Sequence, residues 1–208
     1  RLCRHIDIAA ECKIPLLRHD VAWGYYEGYT GIKSYKKVIE AVAPLVRQAA
    51  EYARERGVKT CSENHGYLLQ DSVRMLELFA AVDHPNYGFL CDMGNFTVVD
   101  EDCATAVSAL SDYIVHVHAK DMLVRSGMNF DPGRGYNLSR GGNYWRGTIF
   151  GHGNVPTFQI LSAIRKSGYD GYVSLEFEGM EPVLEGVEIG TQNLQHMIEV
   201  IGEGQRYV

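Results

Sequence analysis

Tyr113-Ile114-Val115-His116-Val117-His118-Ala119-Lys120-Asp121 is the stretch on which the reading of this chain turns. Its β-branched and apolar residues predict a buried strand, Tyr113 to His118, and it runs directly into a histidine, a lysine and an aspartate. Working outward, the same grammar recurs. Strands are predicted at Ile14–His19, Val58–Glu63, Tyr87–Asp92 and Tyr172–Phe177. Between them lie helical patterns. Arg1 to Lys13 reads as the back half of a helix. Val38, Ala41–Val42, Leu45–Val46 and Ala49–Ala50 form one apolar face, opened by Ser34 as a candidate cap and closed by Gly57. Pro44 inside that pattern marks a kink or a helix start. Further helices are predicted over Asp71–Ala81, Ala104–Leu110, Val155–Ser167 (opened by Pro156) and from about Glu185 to Ile201. Met122 to Asn154 shows no clean periodicity. Strands alternating with helices predict an α/β fold with a parallel sheet, without a linker to divide residues 1–208.

Composition narrows the function classes. The chain has 208 residues, 46% of them hydrophobic and 22% charged, enough for one domain with a sizeable core. Twenty basic against 26 acidic residues give a formal charge of −6, which argues against a general nucleic-acid binder. No apolar run reaches 18 residues, so no membrane span is expected. Arg1-Leu2-Cys3-Arg4-His5 carries neither an initiator Met nor a signal-peptide apolar region, and reads as the middle of a gene product. Five scattered cysteines without a CxxC or CxxH pair make a disulfide framework or a cysteine zinc site a poor fit, and the cytoplasm is the expected compartment.

In parallel α/β folds the sites gather at the C-terminal ends of the strands. Four successive predicted strands end in a residue of metal-ligand type: Glu63, Asp92, His118 and Glu176. A single strand-end Glu or Asp is more often a helix cap or an ion-pair partner than a ligand. Four in succession at one edge point to a bound cation, because clustered carboxylates raise one another's pKa unless positive charge lies between them. Three carboxylates and one imidazole suit one divalent ion, Mn²⁺, Mg²⁺, Co²⁺ or Zn²⁺, and ligand type alone does not choose among them.

Ser62-Glu63-Asn64-His65-Gly66, Cys91-Asp92-Met93-Gly94-Asn95, His116-Val117-His118-Ala119-Lys120-Asp121 and Gly168-Tyr169-Asp170-Gly171-Tyr172-Val173-Ser174-Leu175-Glu176-Phe177-Glu178-Gly179 together resemble the sugar phosphate isomerase/epimerase family, the xylose isomerase-like barrels. The resemblance implies a (β/α)₈ TIM barrel of which this chain is the C-terminal five-eighths: five parallel strands with outer helices, lacking about the first three βα units. It also implies that Glu63, Asp92, His118 and Glu176 bind one essential divalent metal. The chain departs from the ketose 3-epimerases at Asn95, where they carry a histidine, and at Val124, where they carry an arginine that here stands one place on as Arg125. The run His118-Ala119-Lys120-Asp121 is closer to the inosose dehydratase and uncharacterised isomerase branches.

The activity expected on this basis is a metal-dependent isomerase or epimerase of a sugar, polyol or sugar phosphate. Glu63 and Glu176 would be the acid–base pair working through an enediolate, and Asp92 and His118 plain ligands. His65, Asn95, Lys120, His152, Glu178 and Arg140 are the candidate substrate-binding residues; Lys120 has Asp121 as an alternative partner. His116 is expected to pack one layer deeper than His118. The segment 122–154 holds four arginines against one aspartate, with eight glycines, and suits either an anion or a mobile surface lid. The alternatives are a lyase of the inosose dehydratase type, an AP endonuclease and a non-catalytic fragment. The expected partners are a small carbohydrate and, at full length, a second copy of the chain, with neither nucleic acid nor membrane.

Overall fold

A computed structural model describes residues 1–202. The remainder of the 1–208 span, 203–208, falls outside the described residues. The chain divides into two compact units, Arg1–Leu90 and Cys91–Val208.

The first unit runs α1 (Leu2–Glu11), β1 (Leu16–Arg18), α2 (Tyr35–Arg54), β2 (Lys59–Glu63), α3 (Ser72–Val82) and the first residues of β3 (Tyr87–Asp92). β1 pairs parallel with β2, and β2 with β3. Ile6 and Ala9 of α1 pack with Ala49, Ala53 and Val58 in a small-residue core that lets the helices approach. α2 begins at Tyr35 and continues through Pro44, so no helix start lies there. Its buried stripe of Ile39, Ala43, Val46, Ala50 and Ala53 runs on both sides of the proline, and that packing carries the helix past it. Ser34 occupies the N-cap position but makes no side-chain capping bond. Asp71 does cap α3, its carboxylate accepting from the Arg74 N–H at 3.1 Å.

The second unit continues with α4 (Cys103–Leu110), β4 (Ile114–Ala119), β5 (Asp121–Arg125), β6 (Asn137–Leu138), β7 (Tyr144–Thr148), α5 (Thr157–Lys166), β8 (Val173–Leu175) and α6 (Val183–Gly202). β4 and β8 pair parallel, with Val117, His118 and Ala119 opposite Val173, Ser174 and Leu175. The strand order of the main sheet is β1-β2-β3-β4-β8. The helical segment predicted from Val155 starts at Thr157, with Pro156 in the N-cap position. No helix among the described residues is long and apolar enough to cross a membrane.

The stretch without periodicity is neither helix nor featureless loop. It forms a separate antiparallel sheet of order β5-β7-β6, in which Leu123 faces Arg146 and Val124 faces Trp145. Only Lys120 separates β5 from β4, so the two strands read as one in sequence. Close approach demands glycine here: a Cβ on Gly147 would strike the Glu178 carbonyl. The turn between β6 and β7 is pinned by Asp100. Its carboxylate accepts from the Ser139 hydroxyl at 2.6 Å, the Asn143 side-chain amide at 2.7 Å and the Gly141 N–H. Burial pushes the Asp100 carboxyl up, but those three bonds outweigh it and hold it below its ordinary value.

A group held this way contributes order that is present above the unfolded-state carboxylate pKa and lost as pH falls through its folded one. Amide exchange at Gly141 and Asn143 should therefore accelerate in wild type, relative to the intrinsic rate, as the pH is lowered below about 4. In Asp100→Ala it should already be faster near neutrality, by about tenfold, the equivalent of one lost bond. Hydrogen-exchange mass spectrometry across residues 137–148 measures both. Equal protection in variant and wild type would show that Asp100 does not hold the turn.

Candidate active site

Within the second unit, Asp92 ends β3 and is fully buried. Its Oδ1 accepts from the N–H groups of Gly94 and Asn95, both at 2.8 Å, which starts the 3₁₀ turn Asn95–Val99 and fixes the carboxylate. Its Oδ2 lies 3.3 Å from Lys120 Nζ. A Cβ on Gly94 would press on the Lys120 backbone, so the glycine allows the chain after β3 to lie against that lysine. His118 comes from β4. Glu176 follows β8, and its N–H donates to the Ala119 carbonyl at 3.0 Å, extending the strand register by one residue. Glu176 Oε2 then stands 3.0 Å from His118 Nδ1 and 3.1 Å from Lys120 Nζ. Asp92, His118 and Glu176 each present a ligand atom within 4.8 Å of the others.

Such a cluster must balance its charge. Burial pushes the Glu176 carboxyl up, but the bond to His118 and the Lys120 charge outweigh burial and hold it well below the carboxylate range. Burial likewise opposes the Lys120 charge, and the carboxylates of Asp92, Glu176 and Glu178 override it and raise the lysine above its ordinary value. Two carboxylate oxygens and an imidazole nitrogen this close together are a donor set that fits one divalent cation. His116 donates to or accepts from the Ser174 hydroxyl at 2.9 Å and meets the His118 ring edge-on, and burial lowers its pKa.

Glu63 closes β2 in the first unit. It pairs in register with Leu90 of β3, two residues before Asp92. Its side chain is almost wholly buried and bound by Arg18 Nη2 at 2.7 Å. The same nitrogen reaches Asp20 Oδ1 at 2.9 Å and His65 Nδ1 at 3.3 Å. His65 packs edge-on against Trp23. Arg18 is a residue the sequence reading passed over. The signal was available, because Arg18 sits at the end of a strand in the same way as the four acidic and imidazole residues.

The other candidates separate. Asn95 and Glu178 join the cluster through Lys120, at 3.4 Å and 3.3 Å. Lys120 does not pair with Asp121. That carboxylate is spent on the backbone N–H groups of Met122, Gly151, Gly153 and Val155, at 2.8 to 3.2 Å. His152 is exposed on the loop so clamped, and Arg140 is exposed on the turn held by Asp100.

A family model described as xylose isomerase-like TIM barrel matches residues 1–201. An inosose dehydratase of Lacticaseibacillus casei is 28% identical over 142 residues, 67% of this chain and 47% of that protein. The chain thus spans about half the length of the curated relatives it matches. Among solved structures, a xylose isomerase domain protein from Planctomyces limnophilus aligns with a TM-score of 0.74 at 16% identity, covering 97% of this chain and 64% of that one. A xylose isomerase-like TIM barrel protein from Mycobacterium smegmatis, solved in complex with magnesium, aligns at 0.68 and 16% identity, covering 96% and 65%.

A buried donor left without its acceptor costs about 1–3 kcal/mol. Asp92→Ala should lower stability by that order, because the N–H groups of Gly94 and Asn95 lose their acceptor while Lys120 keeps Glu176 and Glu178. Asp92→Asn, which keeps an acceptor, should cost less. Denaturant midpoints at constant m, measured in chelator, give both values. A loss below about 1 kcal/mol for Asp92→Ala would contradict the described network.

Proposed function

This chain belongs to the xylose isomerase-like TIM-barrel family, and we propose that it is a divalent-metal-dependent isomerase or epimerase of a sugar, polyol or sugar phosphate. The observation that carries this reading is the convergence of Asp92, His118 and Glu176 on one point beside the buried Lys120. Glu63 is assigned as the fourth ligand, supported by its place at the end of the strand that neighbours β3. When bound, the metal ion would polarise a substrate carbonyl and lower the cost of removing the neighbouring proton.

The chain's own residues supply the rest. Glu63 and Glu176 are assigned as base and acid, one for each face of the substrate carbon. Arg18 lies against the Glu63 carboxyl group, and the His118 ring and Lys120 lie against that of Glu176. Lys120, Asn95 and Glu178 offer donors and an acceptor for substrate oxygens, and His65, next to Glu63, offers another contact. Asn95 stands where ketose 3-epimerases carry a histidine; it can bind a hydroxyl but does not relay a proton. His152 and Arg140 are assigned at most to binding.

A second reading has its own support: a lyase that removes water after the same proton abstraction. The 28% identity to an inosose dehydratase and the His118-Ala119-Lys120-Asp121 run favour it. Release of water, seen as an absorbing unsaturated product, separates the two.

The test is solvent-deuterium incorporation into a panel of ketoses, ketose phosphates and inososes, with Mn²⁺ supplied to the protein bearing its full coding sequence. Glu63→Gln and Glu176→Gln should each slow exchange by about 10²–10⁴-fold, with metal content measured beside the rate. A Glu176→Gln protein that retains metal and exchanges at the wild-type rate would overturn the two-glutamate assignment. His152→Ala and Arg140→Ala should act mainly on KM.

A further inference from the structure

Lys120 is the most enclosed cation at the site, with only 4% of its side chain exposed. Four oxygens surround its ammonium: Glu176 Oε2 at 3.1 Å, Asp92 Oδ2 and Glu178 Oε2 at 3.3 Å each, and Asn95 Oδ1 at 3.4 Å. An ammonium has three N–H donors, so these four oxygens compete for them. Two of these oxygens belong to residues that would hold the metal. Glu176 Oε2 is shared most directly, because it also lies 3.0 Å from His118 Nδ1. A lysine in this position and a divalent ion therefore draw on the same carboxylates while repelling each other.

We propose that Lys120 is a built-in competitor of the metal, a positioning residue whose fixed charge weakens the site's hold on a divalent cation and keeps that cation exchangeable. The inference rests on the metal reading above and adds to it a residue that sets affinity without ligating.

The opposite outcome, in which loss of Lys120 disorders the ligands and weakens binding, is disfavoured by how those ligands are held. Asp92 is fixed by the N–H groups of Gly94 and Asn95. Glu176 is fixed by its backbone bond to Ala119 and by His118. Neither anchor involves Lys120, so removing the lysine deletes mainly its charge. In a site this enclosed, a unit charge within a few ångströms of a dication outweighs a modest loss of order. Glu178 and Asn95 would retain the ammonium when the metal claims Asp92 and Glu176.

The experiment is a calorimetric Mn²⁺ titration of chelator-treated, dialysed protein, with thermal melting in parallel. The proteins are wild type, Lys120→Met, Lys120→Gln, the charge-keeping Lys120→Arg, and Glu176→Gln as ligand control. Lys120→Met and Lys120→Gln should bind Mn²⁺ about tenfold tighter or more than wild type, while Lys120→Arg stays nearer to it. In chelator the two neutral variants should melt lower than wild type, and Mn²⁺ should raise their melting temperature by more. Folded neutral variants that bind Mn²⁺ no tighter than wild type, while Glu176→Gln binds it far less, would overturn the competitor role and leave the metal reading standing. Absence of Mn²⁺ binding in every protein, by both methods, would overturn the two together.

Discussion

Like charges held close inside a protein are the constraint on which the candidate site depends. Asp92 is fully buried, Glu176 is half-buried, and both lie within about 3.3 Å of the same ammonium. Two carboxylates so placed do not both stay ionised without positive charge between them. Lys120 supplies part of it from within the chain, and a divalent cation is the natural complement. Several local features follow from that need. Gly94 lets the backbone after β3 lie against Lys120. The register of β4 and β8 carries Glu176 to the side of His118. Asn95 turns its amide oxygen to the lysine instead of offering an imidazole.

Three aspartates of the second unit show how one side chain serves different ends. Asp92, Asp100 and Asp121 all accept backbone N–H groups, and all begin or close a turn. Asp121 spends both oxygens this way and is consumed as a structural clamp; burial raises its pKa even so. Asp100 divides its oxygens between a turn and two side chains. Asp92 spends only Oδ1 on the backbone and keeps Oδ2 for the lysine. The remaining oxygen separates a ligand from a clamp, and it is set by the path of the chain around each residue.

Arg18 does for Glu63 in the first unit what Lys120 does for Glu176 in the second. A guanidinium nitrogen lies 2.7 Å from the nearly buried Glu63 carboxyl group, and the same nitrogen ties in Asp20 and His65. Each glutamate assigned to proton transfer is thus paired with a cation supplied by a neighbouring strand end.

The periodicity of the chain by itself determined the βα alternation, all five strands of the main sheet and the strand ends that carry Glu63, Asp92, His118 and Glu176, because strand burial and helix amphipathicity are written locally. The motifs around those residues sufficed for the family. Tertiary structure decided what depends on distant neighbours. β5 hides behind β4, because a strand paired antiparallel and half-exposed has no apolar pattern of its own. α2 runs through Pro44, because the buried faces on either side outweigh the missing N–H. Lys120 takes Asp92, Glu176 and Glu178 rather than its sequence neighbour Asp121, because both Asp121 oxygens are taken by backbone N–H groups while residues far apart in sequence converge at the strand ends.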